Sequence, residues 1–161
     1  MAQNDVKVIN STLNTIIRTF RVEDRTTSSD TQILPGEPVK KTTNAVGHVA
    51  DGEPTNAAPL WGIAVTASTE TATADGTVDV LIVEPNRTVL RTDYTSGATV
   101  DDGVLYDTVT YDVSGGGAYT VDADEGDDPN VHGLQLLAYD TDAGTIDYSV
   151  RSYATEGGSS T

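Results

Sequence analysis

The sequence predicts an all-β protein: a small barrel or sandwich of short antiparallel strands with an extended N-terminal arm. Three observations lead there. Short β-branched runs recur along the chain, turn clusters separate them at intervals of roughly 10–20 residues, and no long segment after residue 30 keeps a helical period.

In chain order, the first 31 residues read as an arm and linker. Leu13, Ile16, Ile17 and Phe20 fit one face of a helix, with Asn10 or Ser11 as cap. Ile16, Arg18, Phe20 and Val22 also alternate as a strand, and the wealth of Thr and Ile favours that extended reading. Residues 25–30, RTTSSD, read as a flexible linker. The body is expected over residues 32–153. Gly62-Ile63-Ala64-Val65, Val78-Asp79-Val80-Leu81-Ile82-Val83, Val89-Leu90, Val109-Thr110-Tyr111-Asp112-Val113, Leu134-Gln135-Leu136-Leu137 and Ile146-Asp147-Tyr148-Ser149-Val150-Arg151 are its strand candidates. The 78–83 run is nearly all apolar, as in a strand covered on both faces, whereas 109–113 and 146–151 alternate. Turn clusters lie at 34–38, 50–54, 74–76, 101–103, 114–117 and 140–144. All seven Tyr fall in 93–153 and the single Trp in 33–92, which hints at two β units with those bounds. Residues 154–161 read as a flexible tail.

Charge is distributed unevenly. Residues 1–50 sum to +1 and residues 51–161 to −17, giving the net −16. A solvated acidic body with a separate attachment segment accounts for this, and nucleic-acid binding does not, because phosphate neutralisation needs clustered Lys and Arg. Acid is mostly Asp, 18 against seven Glu, with three Lys and 25 Thr. Such a surface stays hydrated at molar salt, which predicts a halophilic or marine protein. With no Cys, disulfides, thiolate chemistry and Cys-ligated zinc are excluded. No stretch approaches a membrane span, and MAQNDVKVINS lacks the apolar run of a signal peptide. The low apolar content of 37% predicts a thin core supplemented by oligomerisation or docking.

Candidate sites are few. His48 and His132 have no nucleophile motif beside them, and no Ser stands in a G-x-S-x-G context, so no enzymatic activity is expected. Gly115-Gly116-Gly117 lacks the Lys and helix of a phosphate loop. Asp122-x-Asp124-x-Gly126 and Asp140-x-Asp142-x-Gly144 place alternate carboxylates on turns, so Asp122, Asp124, Asp140 and Asp142 are candidate calcium ligands. Neither matches the EF-hand spacing, and Asp and Gly are also ordinary turn formers. Asn10-Ser11-Thr12 and Asn86-Arg87-Thr88 match the glycosylation triplet. Trp61 is either a sugar-stacking platform or core filler. The apolar and cationic strip Ile16, Ile17, Arg18, Phe20 and Arg21 is the partner-binding candidate. It either adds a strand to another chain or pairs within its own.

Read together, Ile33-Leu34-Pro35-Gly36-Glu37-Pro38-Val39-Lys40, Leu60-Trp61-Gly62-Ile63-Ala64-Val65 and Gly76-Thr77-Val78-Asp79-Val80 resemble the order found in capsid decoration proteins of tailed double-stranded DNA viruses. The likeness covers residues 33–83, with Asp102-Gly103-Val104-Leu105-Tyr106 and Val109-Thr110-Tyr111 similar in style. It implies a compact β-barrel and a structural virion protein made in the host cytoplasm. Such a protein binds the outer surface of the capsid, contacts the major capsid protein, forms a homotrimer and needs no cofactor. The acidic surface then suggests a virus of a halophilic archaeon. Alternatives are a tail-tube or head–tail joining subunit and a carbohydrate-binding β module.

Overall fold

The computed structural model describes residues 6–9, 16–26, 31–114 and 117–151. Its strands are β1 (Lys7–Val8), β2 (Ile17–Val22), β3 (Pro38–Lys41), β4 (Val46–His48), β5 (Leu60–Ala64), β6 (Gly76–Ile82), β7 (Val89–Asp93), β8 (Thr108–Val109), β9 (Tyr111–Val113), β10 (Tyr119–Val121), β11 (Leu134–Asp140) and β12 (Thr145–Val150). A short 3-10 turn over Asp102–Val104 is the only helical element among the described residues. The protein is all-β. All strand ladders are antiparallel, in a first sheet β2-β6-β5-β3-β4, a second sheet β1-β7-β12-β11-β8 and a β10-β9 hairpin. The sheets pack in the manner of a sandwich and do not close into a barrel.

Residues 17–22 extend for a physical reason. In register with β6, Phe20 lies opposite Val78 and Val22 opposite Gly76, which puts their apolar side chains over the first core. The alternate residues face polar partners: Thr19 Oγ1 donates to Asp79 at 2.6 Å, and the Arg21 guanidinium donates twice to Asp75 at 2.7 and 2.9 Å. Both are the cross-strand pairs that stabilise a sheet. The strand therefore pairs within its own chain. The helical alternative includes Leu13 and Asn10, which lie outside the described residues, as do 27–30 of the expected linker and the whole tail 154–161.

The sheets do not follow one cut in the sequence. β7 belongs to the second sheet, and β1, from the N-terminus, pairs beside it. Two clusters form the interior. The larger joins Leu90, Leu134, Leu136, Ile146, Tyr148 and Val150 of the second sheet to Tyr111, Tyr119 and Val121 of the hairpin and to Leu60 and Ile63 of β5. A smaller one gathers Val22, Ile33, Val39, Val46, Ala64, Val78 and Val80. β5 thus supplies side chains to both. Gly62 is what permits that position, since a Cβ there would stand 2.1 Å from the Leu81 carbonyl oxygen. The Pro35-Gly36 turn, with Gly36 at φ 86°, clamps onto the end of β5 through Gly36 N to Ala64 O and Ala64 N to Glu37 O, both 2.8 Å.

The tyrosines divide. Tyr111, Tyr119 and Tyr148 are buried, stacked edge to face, and closed by a 2.8 Å bond between the Tyr111 and Tyr148 hydroxyls and another from Tyr119 to the Val49 carbonyl. Burial pushes all three phenol pKa values up, so they remain neutral donors. Tyr106 is instead 68% exposed.

Candidate functional site

The partner-binding residues of the N-terminal strip fall on and beside β2, an edge strand of the first sheet. Ile82 N donates to Ile16 O at 2.9 Å, which fixes the even-numbered residues as the ones bonded to β6. By antiparallel alternation, the N–H and C=O of Ile17, Thr19 and Arg21 face away from the sheet. Ile17 is 51% exposed and Ile16 41% exposed, and Arg18 is exposed. Such an edge is a template for an added strand.

The residues of this strip are not equivalent. Arg21 is held by Asp75, which raises the guanidinium pKa and lowers that of the carboxyl. Phe20 lies edge-on to Trp61, with ring centroids 5.0 Å apart. Ile16, Ile17 and Arg18 remain the outward part. Trp61 is half-buried in this packing and joins the first core, the filler reading rather than a stacking platform.

At the other end of β2 the sheet edges approach each other. The Arg21 guanidinium reaches the Asn44 carbonyl, beside β4, at 3.5 Å. A cleft of about 320 Å³ opens there, lined among others by Arg25, Thr31, Thr42, His48 and Glu70. His48 offers Nδ1 to Glu37 at 3.2 Å and Nε2 to the Thr31 carbonyl at 2.9 Å. Two acceptors favour the imidazolium, and the Glu37 bond is the main cause of its raised pKa. This histidine is a structural tie between β4 and residues 31–37. Beneath it the Glu70 side chain is 1% exposed and lies 3.6 Å from Arg25 Nε, an ion pair whose carboxylate accepts no hydrogen bond, while the guanidinium donates to the Glu70 main-chain carbonyl at 3.1 Å. Sequence reasoning missed this pair because Glu70 sits in a Thr-rich turn that reads as solvated.

The acidic turns use their carboxylates on the backbone. Glu125 Oε2 accepts from the Thr110 N–H and hydroxyl, both at 2.8 Å, and Asp127 Oδ1 accepts from those of Thr108 at 2.8 and 2.6 Å. These carboxylates stand in for a strand along β8, and the Thr108 bonds lower the Asp127 pKa. Burial and the neighbouring Asp124 and Glu125 push Asp122 up to about 6. Asp140 caps its hairpin by accepting from the Asp142 and Ala143 N–H groups at 3.0 Å, and Asp142 is exposed. The structure therefore brings Asp122 and Asp124 together and Asp140 and Asp142 into one turn. No group of three or more His, Cys, Asp or Glu side chains with metal-holding geometry occurs among the described residues. His132 Nδ1 lies 3.0 Å from the Thr108 carbonyl. The triplet Asn86-Arg87-Thr88 occupies the β6–β7 turn with Asn86 at φ 58°, while residues 10–12 lie outside the described set.

No protein-family model, curated protein or solved structure matches the chain. No helix among the described residues is long and apolar enough to cross a membrane.

Proposed function

We propose that this chain is a structural virion protein, a decoration or cement subunit on the outer surface of a tailed-virus capsid. The observation that carries the reading is the open edge of β2, where Ile16, Ile17 and Arg18 are exposed beside outward-facing backbone groups. Such an edge adds to another protein by main-chain bonds and apolar contact, without catalytic machinery. Many weak contacts of this kind stabilise an assembled shell by mass action. The partners on this reading are the major capsid protein and two sister subunits. The acidic, Lys-poor surface suits particles that meet high salt, as those of a virus of a halophilic archaeon do.

Gold-labelled antibody against the recombinant chain tests it on particles purified from cultures that carry the sequence. Label over the head surface is the expected result. Label at the tail or neck replaces the reading with a tail-tube or joining subunit. Label confined to cell envelopes removes the virion role and leaves the carbohydrate-binding alternative.

A further inference from the structure

Two open sheet edges lie on different sheets of the molecule, and they are complementary. The first is β2 with Ile17 and Arg18. Arg21 is bonded to Asp75 and Arg25 is paired with Glu70, while Arg18 has no ion pair with a described residue, so Arg18 is the unpaired cation of β2. The second is β11 beyond its short pairing with β8, which covers only Leu134 and Gln135. The Tyr106–Asp107 corner bonds Leu136 on the same side, and among the described residues no strand pairs with Ala138, Tyr139 or Asp140 there. Tyr106 stands at this edge as the most exposed large apolar side chain of the described residues. Tyr139 donates to Asp102 at 2.8 Å, which sets the acidic 3-10 turn beside the strand.

We infer that the β2 edge of one copy docks on the β11 edge of a second copy, head to tail, with Arg18 facing Asp102 and its neighbours and Ile17 meeting Tyr106. Charge complementarity selects this occupant. The body carries −17 over residues 51–161, so a second copy offers abundant acid to an outward Arg. Pairing of β2 with itself in the antiparallel register centred on Arg18 would set the two arginines opposite each other, which disfavours that register. A head-to-tail contact uses two different surfaces and closes into a ring when its rotation permits, which is how a trimer forms without a two-fold interface. This inference rests on the assembly proposed above and assigns its subunit contact.

Light scattering of the full chain, compared with R18E, D102R, the double variant R18E/D102R and Y106G, tests it. The expected wild-type mass is three times the 16.9 kDa of the chain. Each charge reversal alone is expected to release monomer at the same concentration, and the double variant to regain the oligomer, because every junction then holds the swapped pair. Y106G relieves the positive φ of 71° at that residue, so it is expected to melt higher as a monomer while associating more weakly. A merely structural Tyr106 would move only the melting point. Circular dichroism verifies each fold, and D140R replaces D102R should the latter unfold. A monomeric wild type, a D102R variant that assembles like wild type, or a folded double variant that stays monomeric overturns the inference. Head labelling with a monomeric wild type removes this contact and keeps the virion role. A trimer with cell-envelope labelling does the reverse.

Discussion

The two large sheets are built from similar short strands and yet are filled differently. Around the second sheet, Leu90, Leu134, Leu136, Ile146 and Tyr148 pack against the hairpin tyrosines, whose hydroxyls are all bonded. The smaller cluster against the first sheet has seven buried apolar residues and no fully buried aromatic ring. Among the described residues, five of the six buried side-chain polar atoms without a hydrogen-bond partner lie on or beside the first sheet, in Arg25, Thr42, Trp61 and Glu70. A buried polar atom left unbonded costs about 1–3 kcal/mol, so the first sheet is the less stable half. The difference teaches where stability and contact reside. The second core is the better filled and bonded of the two, and the first presents the open β2 edge on which the proposed contacts rest.

The largest expected effect breaks the stronger half. Leu136→Ala removes a fully buried side chain and is expected to cost about 2–5 kcal/mol in denaturant unfolding. A loss below about 1 kcal/mol would show that the second core is not the main source of stability. Next, Gly62→Ala acts where β5 serves both cores. Its Cβ would meet Leu81 O at 2.1 Å and Val80 Cγ1 at 2.7 Å, so the β5–β6 ladder must part. The expected cost is about 1–3 kcal/mol, with hydrogen exchange quickening in both sheets rather than one.

The third prediction has the opposite sign. Replacing Arg25 and Glu70 together by Met removes an ion pair whose carboxylate accepts no hydrogen bond, and the first sheet is expected to become equally or more stable. Singly, Arg25→Met strands a buried carboxylate and destabilises. A double variant weaker than Arg25→Met in thermal melts would contradict the ranking of the halves. The smallest effect is in pH. His48 gains protons more readily when folded, facing Glu37 with Glu70 nearby, so its contribution is complete below its unfolded pKa of about 6.5. It is lost as pH rises through the higher folded value. Asp122, raised to about 6 from 3.8, opposes folding as it ionises between those values. His48→Gln should therefore flatten the melting profile above pH 6.5, and Asp122→Asn the segment between 4 and 6. Parallel profiles for wild type and variants would refute both assignments.

Much of this architecture was legible in the chain. The runs at 62–65, 78–83, 89–90, 134–137 and 146–151 coincide with β5, β6, β7, β11 and β12, because a half-buried strand needs β-branched residues at fixed spacing. The run at 109–113 is broken between β8 and β9. β1, β3, β4 and β10 were not signalled: each has two to four residues, too few for a period, and Lys40, Lys41 and His48 read as polar. The strip at 16–21 stood out for its arginines and isoleucines, but sequence spacing treated Arg18 and Arg21 alike. Asp75, 54 residues away from Arg21, is what separates them.

Taken alone, the sequence determined the all-β class and the acidic composition of residues 51–161, since these follow from composition and local period. Tertiary structure alone decided that β2 pairs with β6 and keeps one free edge, and that the acidic turns bond threonine backbone. It alone decided that β5 serves two cores. Those outcomes depend on which distant residues meet, and a one-residue change of register would reverse every face.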